Sequence, residues 1–271
     1  MDAIAEQSAV DTPEEYRERR GLNSGSLMRW VEHGTMMDEV PVEHKPIFDN
    51  GHYLEALIDG SARDRFAFAP KIDRRTKAGK AEYAAFLKES EGKVVIAEED
   101  AEVCRKLADS AMLVRPFEGI DTIRARDQLL TVSDLMPHLS SQLPIYWEHE
   151  GIKKKALADA FAYLGGLNII LDWKWTGNLN TFLSGLRYNK WLQAEHYSEG
   201  ASVRYDDQTL FVYIVCEAKP PYVARAVTLD PGTAGLRRAE YLDICEAYAR
   251  WNRKGRKPTG YGEPKTVKIW V

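Results

Sequence analysis

The chain has little cysteine and no long apolar run. Its 271 residues include three cysteines, Cys104, Cys216 and Cys245, without C-x-x-C spacing. A disulfide framework and a zinc or iron–sulfur site built on cysteine are therefore not indicated. No stretch approaches the ~18 apolar residues of a membrane span, and the first twenty residues are acidic and polar, unlike a signal peptide. We expect a soluble, cytoplasmic protein without a membrane partner.

An excess of positive charge is also missing, because the formal net charge is -4. A protein that coats nucleic acid without specificity needs a broad cationic surface, so that class is disfavoured. Basic residues do cluster locally. One cluster comprises Arg74, Arg75, Lys77 and Lys80, a second Lys153, Lys154 and Lys155, and a third Arg250, Arg253, Lys254, Arg256 and Lys257. Each is either a solvated face or a local anion-binding surface.

The hydrophobic content of 44% is sufficient for a sizeable core. We predict a poorly ordered segment at residues 1–20 and a single domain at residues 21–271. Helical patterns dominate the first part, and strand patterns begin near residue 143. The predicted fold is α/β (α+β), with a helical N-terminal part and a central mixed β-sheet flanked by helices.

The dipeptide Gly165-Gly166 separates two strand-like segments, and glycine readily adopts the positive φ angles of a two-residue hairpin turn. If these glycines form the turn, Leu164 pairs with Leu167 and Asp159 lies opposite Asp172. Directly opposed like charges destabilise a sheet unless a partner holds them. Because side chains alternate along a strand, Lys174 shares the face of Asp172 and Trp173 faces away.

Two paired carboxylates can bind a hard cation such as Mg²⁺, and an adjacent lysine can act on a water molecule beside it. This combination is typical of phosphodiester hydrolysis. The alternative is a half-exposed hairpin on which aspartate and lysine form a weak surface ion pair. The spacing alone does not decide between the two.

An aspartate followed at a distance by Asp-x-Lys on an apolar strand resembles the core of the PD-(D/E)xK nuclease superfamily. The chain most resembles the RecE-type (exodeoxyribonuclease VIII-like) exonucleases of phage recombination, which are related in fold to lambda exonuclease. The resemblance covers about residues 14–263 and rests on the order and spacing of its motifs. These motifs are LNSGSLMRW, NGHYLEALIDG, DRRTKAGKAEYAAFL, KALAD, LDWKWTG, WLQAEHY, PPYVARAVTLD and YGE.

The resemblance implies roles for individual residues. Asp159 and Asp172 would bind Mg²⁺, or Mn²⁺, together with the carbonyl of Trp173, and Lys174 would be the catalytic lysine. Gln193 and Tyr197, one helical turn apart, would face the site, where Gln193 would be a catalytic residue that positions the reacting strand. Their alternative role is that of a partly buried helix face.

Three positions depart from the family pattern. Glu55 stands in place of a histidine on the family's helix and is expected to act as a further metal ligand and catalytic residue. Leu157 replaces an arginine, a loss that Lys155 or Lys154 would compensate at the phosphates. Trp175 replaces a small or hydroxylated residue. Arg74, Arg75, Lys77 and Lys80 flank a helix start and are our candidates, with Lys155 and Tyr197, for binding the DNA.

The resemblance implies a Mg²⁺-dependent exonuclease that digests linear double-stranded DNA from 5′ to 3′ and leaves 3′ overhangs for recombination. It also implies a homo-oligomeric ring, a trimer or tetramer, acting at DNA ends beside a single-strand annealing protein. The implied location is the cytoplasm of a bacterial or phage-infected host cell. Two alternatives stay open. One is another PD-(D/E)xK endonuclease, and the other is an inactive DNA-binding recombination accessory protein. A Cas4-like nuclease is disfavoured because its cluster needs four cysteines.

Overall fold

The computed structural model describes residues 11–42, 46–62 and 65–258. Within these ranges the α-helices are α1 (Pro13–Glu18), α2 (Ser24–His33), α3 (Pro46–Ile58), α4 (Lys77–Glu89), α5 (Glu98–Met112), α6 (Val132–Leu135), α7 (Leu179–Gly185), α8 (Trp191–Tyr205) and α9 (Pro231–Arg253). The strands are β1 (Phe66–Ala69), β2 (Val94–Ala97), β3 (Ser140–His149), β4 (Ile152–Leu164), β5 (Leu167–Thr176), β6 (Thr209–Glu217) and β7 (Ala224–Val227).

A five-stranded sheet with the order β3-β4-β5-β6-β7 forms the centre of the fold. The β5/β6 pair is parallel, whereas the other neighbours are antiparallel. The predicted mixed α/β architecture with helices around a central sheet is therefore confirmed. A separate parallel pair, β1 and β2, was not predicted.

The predicted Gly-Gly hairpin is present between β4 and β5. Gly165 and Gly166 have φ angles of 61° and 89°, the left-handed region that glycine adopts without strain. Pairing begins at Leu164–Leu167 and continues in the predicted register to Ala160–Leu171. The turn thus brings Asp159 and Asp172 to the next position beyond the last regular pair.

Helices cover both faces of the sheet, which explains why β5 is buried along most of its length. Helices α3 and α5 contribute Leu54 and Leu107 to a core shared with Leu171. On the other face, Phe182 of α7 packs in a second core with Ile170 and residues of α8. Alternating β5 side chains therefore enter opposite cores.

The helical region after β5 is divided. Helix α7 passes into a π-helical segment, Leu186–Lys190, before α8 begins. Helix α8 then packs against β3, β4, β5 and β6. Its first turn carries Gln193 and is placed beside the central strands.

Near its middle, α8 carries a buried carboxylate that joins several elements. The side chain of Glu199 has no solvent exposure and accepts a hydrogen bond from Lys154 at 2.6 Å. Its other partners are Trp147 and His149 of β3 and Arg238 and Tyr241 of α9. Burial alone would raise the pKa of Glu199, but the bonds from Lys154 and Tyr241 lower it to about 2. Glu199 is therefore a charged link between α8, α9 and the sheet edge.

The N-terminal part includes α1, ahead of the domain start predicted at residue 21. Thr12 caps α1, because its hydroxyl accepts the Glu15 amide while the Glu15 carboxylate accepts the Thr12 amide. The YGE motif at 261–263 lies outside the described residues. Within the described ranges, none of the helices is both long enough and apolar enough to cross a membrane.

Candidate active site

The candidate site lies where β4 and β5 separate. One step beyond the Ala160–Leu171 pair, Oδ2 of Asp159 accepts the backbone N–H of Trp173 at 3.0 Å. The carboxylate takes the place of a regular ladder partner, so the two strands open at this point. Asp159 is half-buried, and Asp172 has no solvent exposure.

Asp172 lies close enough to Asp159 to oppose its ionisation. Burial raises the pKa of Asp159 well above its ordinary value, and the charges of Asp172 and Glu55 raise it further. Burial also raises the pKa of Asp172, although Lys174 opposes this effect. The site therefore concentrates negative charge that needs a cation.

Lys174 supplies one cation in the structure. Its ammonium forms an ion pair with Oδ2 of Asp172 and lies 3.4 Å from the carbonyl oxygen of Trp173. Burial alone would lower the pKa of Lys174, but the charges of Asp172 and Asp159 outweigh this and raise it. Lys174 is thus a protonated counter-ion here. Its side chain is 28% exposed, so the site opens to solvent at this residue.

The first turns of α8 face the same carboxylates. Nε2 of Gln193 donates to Oδ1 of Asp172 at 2.6 Å. Tyr197, one turn later, is buried and packs edge-on against Phe211 with ring centroids 5.8 Å apart. Burial raises the pKa of Tyr197, and the charges of Asp159 and Asp172 add to that increase. Both side chains are brought to the site, while their roles in catalysis and DNA binding stay predictions.

Glu55 reaches the site from α3, on the other face of the sheet. Burial raises its pKa to about 7, with an opposing effect of Lys174 and a further increase from the charge of Asp172. Its Oε1 accepts a hydrogen bond from the side chain of Gln142 in β3. Sequence reasoning missed Gln142, because neither a motif nor its spacing marks it.

The donor set can be compared with the needs of a divalent metal. Asp159, Asp172, Glu55 and the Trp173 carbonyl offer oxygen atoms, which hard cations prefer. Among the described residues, no group of three or more His, Cys, Asp or Glu side chains has the arrangement of a metal site. The aspartate oxygens are instead engaged by Lys174, Gln193 and the Trp173 amide. These oxygen donors are of the kind that Mg²⁺ prefers, and the aspartate pair would be their centre. In the structure the Lys174 ammonium balances the charge of Asp172.

The predicted DNA-binding cluster lies at the start of α4. Arg74, Arg75, Lys77 and Lys80 are all exposed. Arg75 pairs with Asp73 at 2.9 Å, and the guanidinium of Arg74 lies 4.7 Å from the ring centre of Tyr83. No contact recorded between described residues joins this cluster to the carboxylates. Its role in DNA binding stays a prediction.

The structure does not support a phosphate-binding role for Lys155. Its ammonium is 2.7 Å from the carbonyl of Tyr16 and 2.6 Å from that of Arg19, and it also contacts the Arg17 carbonyl. Only 5% of the residue is exposed. Lys154 is likewise buried, against Glu199. Both lysines therefore hold elements of the fold together, because tertiary packing brings carbonyl and carboxylate partners to them.

These features define a mixed α/β protein with one buried and one half-buried carboxylate and a lysine at the point where two sheet strands separate. Neither a protein-family model nor a curated protein matches the sequence. The chain is similar in structure to a candidate exonuclease from Eubacterium rectale, known from a crystal structure. The alignment covers 97% of each chain with a TM-score of 0.58 and 12% sequence identity. At this identity the comparison shows a shared fold.

Proposed function

We propose that the chain is a metal-dependent exodeoxyribonuclease of the PD-(D/E)xK type. It would digest one strand of linear double-stranded DNA from the 5′ end and leave a 3′ overhang for phage-type recombination. The observation that supports this proposal is the convergence of Asp159, Asp172 and Lys174 beyond the Gly-Gly hairpin. The fold shared with the candidate exonuclease agrees with it.

The carboxylates would bind the metal. Asp159 and Asp172, with the Trp173 carbonyl and Glu55, would hold Mg²⁺, or Mn²⁺ in its place. When bound, the metal would neutralise charge on the phosphate and acidify a water molecule. The raised pKa values of Asp159 and Glu55 support this assignment, because a cation offsets the cost of ionising buried acids.

The chain's own groups would then position the reactants. Lys174, once separated from Asp172, would hold the attacking water through Nζ. The water oxygen would form a bond to phosphorus as the bond from phosphorus to the leaving oxygen breaks. The proton of the water would pass to solvent, and the leaving oxygen would take up a proton. Gln193 would keep Asp172 oriented through its 2.6 Å hydrogen bond. The DNA would approach from the side on which Lys174 and Asp159 are partly exposed to solvent.

The decisive experiment uses linear duplexes labelled at either 5′ or 3′ ends, with Mg²⁺ or with a chelator. We expect Mg²⁺-dependent loss of the 5′ label first. Lys174→Ala should reduce the rate by on the order of 10²-fold or more, because a group that positions or protonates a reactant contributes ~10²–10⁴-fold. Lys153→Ala is the matched control, since Lys153 is exposed on the same hairpin.

Other outcomes distinguish the remaining candidates. Cleavage of a closed circular plasmid would favour an endonuclease of the same superfamily. DNA binding without hydrolysis, equal in wild type and Lys174→Ala, would favour an inactive accessory protein. Survival of every DNA without binding would contradict all three.

A further inference from the structure

The β3 strand is irregular at the residue opposite Asp159. Ser141 pairs with Ala160 and Leu143 pairs with Ala158, but Gln142 between them forms no regular pair. Its φ angle is 53°, in the left-handed region. For a residue other than glycine this conformation costs roughly 1 kcal/mol or more and persists only when the surroundings enforce it. Irregular pairing thus coincides with backbone strain beside the carboxylate pair.

The left-handed conformation of Gln142 accompanies a hydrogen bond between its side chain and Glu55. Its Nε2 donates to Oε1 of Glu55, although the two residues are 87 positions apart. Glu55 belongs to α3, which packs on the sheet face of Leu171 and Trp173. The carboxylate must therefore be directed towards the aspartates at the opening between β4 and β5. Gln142 lies at that opening.

The chemistry of a carboxamide suits this position. Lysine or arginine would also donate to Glu55, but a permanent charge would compete with a metal ion for the same carboxylates. A neutral amide donor orients the carboxylate and leaves its charge available. Partners of this kind, hydrogen-bonded to ligands, commonly tune metal affinity.

We propose that Gln142 is a positioning residue that holds Glu55 towards the Asp159–Asp172 pair, so that Glu55 can join them in binding a divalent cation. The inference rests on the proposed function of this site and adds a residue to it. Gln142 acts through Glu55 and does not touch the DNA.

Two substitutions separate the side chain from the backbone. Gln142→Met keeps the length but removes the donor. Gln142→Gly removes the donor and also relieves the φ strain, so its unfolding temperature should not fall. Glu150→Gly is the control, because Glu150 has a φ of 51° and is exposed in the β3–β4 turn.

The first measurement is Mn²⁺ binding to DNA-free protein by titration calorimetry. Both Gln142 variants should bind Mn²⁺ on the order of tenfold more weakly than wild type, within the usual range for loss of a partner of a metal ligand. In hydrolysis assays they should need about tenfold more Mg²⁺ for half-maximal rate, with an unchanged KM for DNA. Glu150→Gly should match wild type in each assay.

The outcomes separate this inference from the proposed function. If wild type digests DNA and the Gln142 variants match it in Mn²⁺ affinity and Mg²⁺ requirement, the positioning role is wrong and the function stands. If wild type binds Mn²⁺ but digests no DNA, the function fails, and Mn²⁺ affinities of the variants decide the positioning role. Absence of Mn²⁺ binding in wild type would overturn both.

Discussion

Individual residues at the candidate site carry opposing charges in a partly enclosed space. Asp172 has no solvent exposure, yet it pairs with Lys174 and accepts from Gln193. The charge of Glu55 raises the pKa of Asp159, and the charge of Asp172 raises the pKa of both. Ionisation of these acids destabilises the folded protein, and binding of a cation stabilises it.

Glu55 provides a prediction for the metal-free protein. Its pKa of about 7 in the folded state lies above the model-compound value of 4.5, so the fold favours the protonated form. The stabilising contribution is complete below about pH 4.5 and is lost as pH rises through 7. In wild type with a chelator, the free energy of unfolding should therefore fall between pH 5 and pH 8.

Glu55→Gln should reduce that fall by on the order of 1–2 kcal/mol, after discounting for partial solvent access. Urea unfolding at several pH values measures the difference. Glu82→Gln on the exposed face of α4 is the control. Parallel pH profiles for Glu55→Gln and wild type would contradict the assignment of a buried, destabilised carboxylate.

Some residues could be assigned from the sequence and others could not. Asp159, Asp172 and Lys174 follow from a two-residue glycine turn, because a short hairpin determines register locally. Gln142 could not be found this way, since its φ angle and its bond to Glu55 depend on packing between β3 and α3. Lys155 was misjudged because the carbonyls of α1 that bind it are distant in sequence.

At the scale of elements, α8 connects the candidate site to the sheet. Gly200 lies on α8 directly against Trp147 of β3. A Cβ atom at this position would come within 2.7 Å of the Trp147 ring. This close approach of helix and strand requires glycine, even though glycine in a helix costs about 1 kcal/mol relative to alanine.

Gly200→Ala should therefore destabilise the protein by about 1–3 kcal/mol, the usual range for overpacking a tight core. Gly235→Ala on α9 is the matched control, because nothing lies within 4 Å of its added Cβ. This control should be neutral or stabilising by up to about 1 kcal/mol. Equal urea midpoints for the two variants would contradict the described packing.

Elements with a local sequence signal, such as the Gly165-Gly166 hairpin, could be predicted from the sequence. Asn23 caps α2, with its side chain accepting the amide of Ser26 at 2.8 Å. The β1/β2 pair joins Phe66 to Val94 across an intervening helix, and such non-local pairing leaves little local signal. The π-helical break before α8 also escaped prediction, because its residues are compatible with a continuous helix.

At the scale of the whole molecule, charge distribution matters more than net charge. The chain is acidic overall, with a net charge of -4, so attraction to DNA must come from local basic surfaces. The exposed cluster of Arg74, Arg75, Lys77 and Lys80 is the proposed surface. A homo-oligomeric ring that places such clusters around a DNA passage is our proposal for the assembly.

Replacing those four basic residues with alanine should weaken DNA binding and reduce its salt dependence. Each lost phosphate contact should lower the slope of log affinity against log salt by about 0.9. The hydrolysis rate at saturating DNA should stay close to that of wild type. Fluorescence anisotropy at several salt concentrations measures the slope. Alanine at Lys88, Arg105, Lys106 and Arg204 is a control of equal charge change. An identical slope in both variants would exclude a role of the cluster in DNA binding.

The position of α8 has one more consequence. Gln193 in its first turn holds Asp172, and Glu199 in its middle is hydrogen-bonded to Arg238 and Tyr241 of α9. The helix is thus fixed at its start and at its middle, which limits its freedom to slide along the sheet. We therefore expect substitutions in α9, although distant from the carboxylates in sequence, to shift α8. Such a shift would displace the Gln193 amide from Asp172.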